Sequence, residues 1–184
     1  MNEAGVDYAI LGNEESCTGD SARRIGNEYL FQMQATQNLE TFEKYGVKKI
    51  ITQCPHCLTT LKNDYGEIGA DLEVTHHSEF ISQLIKEKKI NPDNTIDEDI
   101  TFHDACYVGR HHGEYDAPRE VLQSVLSKDA NIVEMERNKE KSFCCGAGGG
   151  NMWYEIKQGK RINVERFEEA IETGVKKVAT SCNF

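Results

Sequence analysis

The chain is short of prolines, holding 3 in 184 residues, and has no excess of positive charge. Its 31 acidic side chains against 21 basic ones give a formal net charge of -10. Such a surface repels a phosphate backbone, which excludes nucleic acid as a partner class. No apolar run approaches the ~20 residues that a bilayer-spanning helix needs, and no secretory leader pattern is visible. Without a secretion signal, the 7 cysteines are not expected to form a disulfide scaffold. Clustered thiols in a reducing compartment favour metal binding or redox chemistry instead. The expected location is therefore cytoplasmic, with any membrane association made through a partner or through segments outside this stretch. At 38% hydrophobic, a chain of this length can bury one good core or two small ones.

What is present centres on Ser142-Phe143-Cys144-Cys145-Gly146-Ala147-Gly148-Gly149-Gly150. Adjacent cysteines rarely bond each other, because disulfide geometry strains the peptide between them. Both can, however, direct thiolates at one multi-metal centre. Glycines beside them let the backbone come close and aim N–H groups at a negatively charged object. Taken alone, the segment also reads as two buried cysteines next to a flexible turn.

Apolar periodicity and turn residues predict alternating strands and helices. Strands are expected over Val6–Leu11, Lys48–Gln53, Leu72–His77, Ile100–Ala105, Asn131–Met135 and Lys176–Ser181. Helices are expected over Ala22–Tyr45 (capped by Asp20 or Ser21), Leu58–Tyr65, from a Ser78 cap through Ile85, Asp116–Leu126 and Met152–Thr173. Tyr107–Tyr115 reads as a loop. This order argues for an α/β fold with mostly parallel sheets and flanking helices. Every cysteine falls at a strand end or on a loop before a helix, where open α/β sheets place their ligand sites. The polar stretch Asn91–Asp99, with Pro92, is the expected boundary between a first half, 1–92, and a second, 93–184.

The halves repeat each other. Cys54 follows Cys17 by 37 positions, and Cys182 follows Cys145 by the same 37. A shift of 128 lays Gly46-Val47-Lys48-Lys49-Ile50 on Gly174-Val175-Lys176-Lys177-Val178, Thr52 on Thr180 and Cys54 on Cys182. Duplicated cysteines in register point to duplicated metal or redox sites. Ser16 stands where the second copy has Cys144, and Cys57 and Cys106 have no counterparts within the chain. The expectation is a fragment of a longer protein, truncated inside both copies.

The residues by themselves leave rivals open. Cys54-Pro55-His56-Cys57 is half of a zinc knuckle, which His76, His77 or His103 could complete. It also has the form of a thioredoxin-type Cys-x-x-Cys. His103 could donate to a sulfur or simply pack in the core. Arg23 and Arg24 read as solvated helix charges or as neutralisers of a charged centre. His111 and His112 read as solvated loop residues.

Cys106, the Cys144-Cys145-Gly146 pair and Cys182 together resemble the CCG cysteine-rich domain family, whose pattern is a Cys, a Cys-Cys-Gly pair and a terminal Cys-x-x-Cys. Its members include heterodisulfide reductase catalytic subunits, iron–sulfur subunits of glycolate and lactate oxidases, and membrane-linked oxidoreductases that pass electrons from flavoproteins to quinone. HDACYVGRHHGEYDAPREVL, FCCGAGGGNMW, ESCTGDSARRIGNEYLFQ and TQCPHC are most similar to the membrane-linked group. The resemblance implies an iron–sulfur oxidoreductase, inactive as a fragment, with a [4Fe–4S] centre for each complete copy. Cys106, Cys144, Cys145 and Cys182 would supply all but one ligand of a non-cubane cluster. Cys17, Cys54 and Cys57 would belong to a cubane or degenerate first site. Gly146, Gly148 and Gly149 would line the cofactor, and His103 would lie beside it. The implied partner is a flavoprotein or a ferredoxin-like domain.

Overall fold

A computed structural model of the chain describes residues 1–92, 96–155 and 157–183. Two parallel, two-stranded sheets form its frame. Strand β1 (Lys49–Thr52) pairs with β2 (Glu73–His76), with Thr52 opposite His76. Strand β3 (Thr101–His103) pairs with β4 (Val178–Thr180), with His103 opposite Thr180. Because each pair is parallel, the loops that leave both strands of a sheet emerge at one edge. The cysteines sit at those edges. The α/β class, with parallel sheets and flanking helices, is as the sequence predicts.

In the first half, α1 (Asp20–Arg24) is followed by α2 (Glu28–Tyr45). The predicted single helix breaks at Gly26, whose φ of +84° cannot continue a right-handed helix. Asn27 then caps α2, its side chain accepting from the Leu30 N–H at 3.1 Å. Phe31, Ala35 and Phe42 face inward from α2 and meet Leu58, Leu61, Tyr65 and Val74 in the main core. The helix after β1 begins earlier than expected. Pro55 starts α3 (Pro55–Thr59), which passes through a π-helical turn (Thr60–Asp64) into α4 (Tyr65–Glu67). His76, not Ser78, caps α5 (His77–Lys86), its ring accepting from the Ser78 N–H.

The second half has a smaller core of Ile100, Leu126 and Ala130, with Phe102, Val108 and Met135 also buried. The expected loop 107–115 contains a single turn, α6 (Gly109–His112), followed by α7 (Asp116–Val125). Helix α7 packs on α5 and so joins the halves. The predicted strand 131–135 contributes only a parallel bridge from Ile132 to Ile100. The predicted strand 6–11 does not form; Tyr8 and Ile10 are exposed and no strand lies beside them among the described residues. The long helix expected over 152–173 shrinks to a 3-10 turn, Asn151–Trp153, and α8 (Ile162–Glu172). Residues 157–161 (KQGKR) carry no apolar side chain, and Gly159 there has φ +73°. Ile156, which that expectation also covered, lies outside the described residues, as do residues 93–95 at the predicted boundary between the halves.

The repeat survives folding. Under the shift read from sequence, β1 matches β4 and α2 matches α8. Gly46 and Gly174 end those helices with φ of +64° and +76°.

Candidate functional site

The seven cysteines are all free thiols, gathered into two nests. The first nest holds Cys17, on the loop before α1, with Cys54 and Cys57. Cys54 closes β1 and occupies the cap position of α3, so the first N–H groups of the helix face its sulfur. The Cys57 thiol donates to it, and the Cys57 and His56 N–H groups add to that bond. Together they draw the Cys54 thiol down to about 6, despite burial. Cys57, keeping its proton for Cys54 and buried, is pushed up. The Thr18 hydroxyl lies 3.5 Å from the Cys57 sulfur, and the Gly19 N–H donates to Cys17 at 3.4 Å.

In the second nest, β3 delivers Cys106, β4 delivers Cys182, and the loop after residue 141 brings Cys144 and Cys145 between them. Cys144 is the anionic centre of this nest. Hydrogen bonds from Cys106 and Cys145, and one from the Gly146 N–H at 3.2 Å, lower its thiol to about 2. Cys106 and Cys145, the donors, are pushed up by those same bonds and by burial. The Ala147 N–H bonds the Cys145 sulfur, and Cys182 lies close enough for its charge to act on Cys106 and Cys145.

The loop carrying the cysteine pair is clamped from below. Asp104, buried at the end of β3, accepts both guanidinium N–H groups of Arg119 at 2.7 and 2.9 Å and the Lys139 N–H at 2.8 Å. Arg110 donates to the Ser142 carbonyl at 2.6 Å, and the Arg137 guanidinium covers the Phe143 ring at 3.9 Å. Gly146 needs its glycine: φ is +86°, and a Cβ there would lie 3.1 Å from the Ile162 Cβ. The two nests share one further device. Thr52 accepts the Cys54 N–H at 3.2 Å, and Thr180 accepts the Cys182 N–H at 3.3 Å.

The other expected site residues divide. Gly148 lies against the His56 ring, at 3.5 Å for a Cβ built there. Gly149 takes φ +66°, and a Cβ built there would meet the Asn151 side chain at 3.7 Å. The His103 Nδ1 accepts from Arg166 Nε at 2.9 Å, which leaves the ring proton on Nε2. Burial and the Arg166 charge hold it down to about 4, which favours the neutral ring. Arg23 and Arg24 are not the solvated or sulfur-facing charges expected; Arg23 pairs with Glu28, Asp64 and Glu67, and Arg24 with Asp20 and Asp64. His111 is stacked on Tyr107, and the His112 Nε2 lies 3.0 Å from the Thr59 hydroxyl. Among the described residues, no three His, Cys, Asp or Glu side chains converge on a position for one metal ion.

Sequence reasoning missed the residues between the nests. Asp20 is not a cap but a buried carboxylate, accepting from Thr60 at 3.3 Å and Arg24 at 3.1 Å and facing the His56 Nδ1 at 2.9 Å. His56 reaches the second nest, where it hydrogen-bonds the Cys182 side chain. Its ring stacks on Tyr107 at 4.3 Å between centroids, and Tyr107 on His111 at 4.4 Å. Burial opposes charge on His56, but Asp20 and Cys182 outweigh it and raise the ring to about 9. The signal for His56 was its place inside Cys-x-x-Cys; nothing in linear spacing says that it reaches across.

The CCG cysteine-rich domain pattern matches residues 1–62 and 100–184, both cysteine nests included. The chain belongs to the CCG cysteine-rich domain family. It is 47% identical over 191 residues to the EtfAB:quinone oxidoreductase of Syntrophomonas wolfei, covering all of this chain and 26% of that relative. The probable iron-sulfur-binding oxidoreductase FadF of Bacillus subtilis is 47% identical over 184 residues, again with 26% of its length covered. A component of the dihydromethanophenazine:CoB–CoM heterodisulfide reductase of Methanosarcina barkeri is 35% identical over 195 residues, with 46% of it covered. The chain thus spans a quarter to a half of these relatives. No solved structure matches it. Among the described residues, no helix is long and apolar enough to cross a membrane.

Proposed function

We propose that this CCG chain carries iron–sulfur centres of an electron-transfer oxidoreductase of the heterodisulfide-reductase kind, membrane-linked and exchanging electrons with a flavoprotein or ferredoxin-like partner and with quinone. The observation that carries the reading is the second nest: an anionic Cys144 between Cys106 and Cys145, with Cys182 beside them, at one edge of a parallel sheet. Free, mutually hydrogen-bonded thiols with backbone N–H donors are the donor set that iron–sulfur clusters use.

Cys106, Cys144, Cys145 and Cys182 would hold a [4Fe–4S] centre of non-cubane type. Cys17, Cys54 and Cys57, one thiolate poorer, would hold a cubane or a degenerate site. Such a group supplies one-electron exchange when bound. The chain's own part is to hold sulfur as an anion, to which the Gly146 N–H contributes at Cys144. Asp104, Arg119 and Arg110 fix the loop against the strands, so that the pair Cys144–Cys145 keeps its place as charge changes. Iron–sulfur subunits of glycolate or lactate oxidases are a related assignment for the same site.

Metal analysis tests the reading. Anaerobically purified protein is expected to contain iron and acid-labile sulfide. Zinc without sulfide would overturn it.

A further inference from the structure

We propose that Arg166 places a fixed positive charge behind the second nest and thereby raises the reduction potential of the second centre. The inference rests on the reading of Cys106, Cys144, Cys145 and Cys182 as cluster ligands. Arg166 lies on the buried face of α8 and is 4% exposed. Its Nε donates to the His103 Nδ1 at 2.9 Å, and its Nη1 to the Arg137 carbonyl at 2.9 Å and to Glu169 at 2.7 Å. Its Nη2 is buried and has no hydrogen-bond partner among the described residues. A guanidinium keeps its charge in a protein, and an unpaired N–H on a buried charged group is costly. Such a donor, on a side chain whose other groups are bonded, calls for an acceptor that the protein itself does not provide.

The segments that carry the second set of cysteines surround this side chain. His103, which it bonds, ends β3 just before Cys106 and pairs in register with Thr180, whose hydroxyl accepts the Cys182 N–H. The first turn of α8 lies on the loop of the cysteine pair: a Cβ at Gly146 would come within 3.1 Å of the Ile162 Cβ and 3.3 Å of the Asn163 nitrogen. Arg166 follows Ile162 and Asn163 by one helical turn and so shares their face. The planar fork sends one Nη2 N–H parallel to the Nε–H, along the edge that meets His103. The unpaired donor therefore leaves at the end of β3 that leads to Cys106.

The plainer account is that Arg166 only clamps the Arg137 carbonyl and Glu169 to each other. The two accounts part in what they change. A clamp alters stability and occupancy. A buried cation beside a centre that gains an electron stabilises its reduced form and so raises its potential. Arg166 acts through its charge and its place, as a positioning residue.

The test is a redox titration followed by electron paramagnetic resonance on anaerobic protein, comparing wild type with Arg166→Gln, Arg166→Lys and Glu169→Gln. The midpoint of the second centre is expected to become more negative in Arg166→Gln, which removes the charge, and to stay closer to wild type in Arg166→Lys, which keeps it. Glu169→Gln is expected to move the same midpoint the other way, since it removes a buried negative charge and keeps an oxygen for the Arg137 N–H. A clamp gives no such opposition of sign, because both changes break the same ion pair. A second midpoint unmoved in Arg166→Gln, moved in one direction by Arg166→Gln and Glu169→Gln alike, or moved no more than that of the first centre, overturns the proposal. Where Arg166→Gln no longer holds the second cluster, Glu169→Gln decides: a more positive second midpoint supports the proposal, and any other result overturns it. Wild-type protein without acid-labile sulfide overturns the ligand assignment beneath it, a result read before any variant is compared.

Discussion

Cys144 differs from the other six cysteines in receiving hydrogen bonds from sulfurs on both sides while also accepting the N–H of Gly146. The first nest has no equivalent, because Ser16 occupies the corresponding place and spends its hydroxyl on Asn38 Oδ1 at 2.9 Å. This difference predicts unequal centres. Cys145→Ser is expected to abolish the unusual signal of the second centre in electron paramagnetic resonance, and Cys17→Ser to leave that signal and remove only a conventional one. Cys144→Ser recreates the Ser-Cys order of the first copy and is expected to move the second centre toward cubane behaviour. The opposite pattern would mean that the copies are assigned the wrong way round.

Between elements, the Asp104–Arg119 pair helps to hold the second nest in place. It ties the end of β3 to α7, and through the Lys139 N–H it fixes the approach to the cysteine pair. Arg119 also binds Glu134, so its guanidinium serves two carboxylates. Removing one partner of a buried pair strands the other charge, at a cost of about 3–5 kcal/mol. Arg119 is 12% exposed and Asp104 4%, so the lower end applies. Arg119→Leu is expected to lower stability by about 3 kcal/mol in urea unfolding and to reduce iron at the second site. A loss below about 0.5 kcal/mol, the range of an ordinary surface change, would show that the clamp is dispensable.

Over the whole molecule, the halves meet at buried histidines as well as at α5 and α7. His76 ends β2, bonds Ser78 through Nδ1 at 2.7 Å, and lies near the backbone of Gln53 in its own half and Ser181 in the other. Burial, with the neighbouring His77, lowers its pKa from 6.5 to about 4. The sign follows from which state binds the proton. Above pH 6.5 the ring is neutral in both states and its contribution is whole. As pH falls toward 4 the unfolded chain takes up the proton first, and stability is lost. The full loss is about 3 kcal/mol. Thermal melts of His76→Gln against wild type should therefore show a shallower decline between pH 6.5 and 4 in the variant; parallel declines would count against a buried neutral ring.

The sequence by itself determined the family, the repeat and the seven thiols, because these are carried by local spacing: Cys-Cys-Gly, Cys-x-x-Cys and the shared Gly-Val-Lys-Lys. It also determined most strands and helices, since alternation and helical periodicity are properties of short windows. It failed where an element depends on a partner or on one residue's backbone. Residues 6–11 look like a strand yet have no neighbouring strand to bond among the described residues, and Gly26 and Gly159 take positive φ inside stretches whose side chains read as helical. Only the tertiary structure decided which thiols share a nest, that Arg23 and Arg24 are spent on carboxylates, and that His56, held by Asp20, lies against Tyr107 and Gly148 of the second half. Those are contacts between residues distant in the chain, and their partners are selected by the packing of the two cores, which no local pattern encodes.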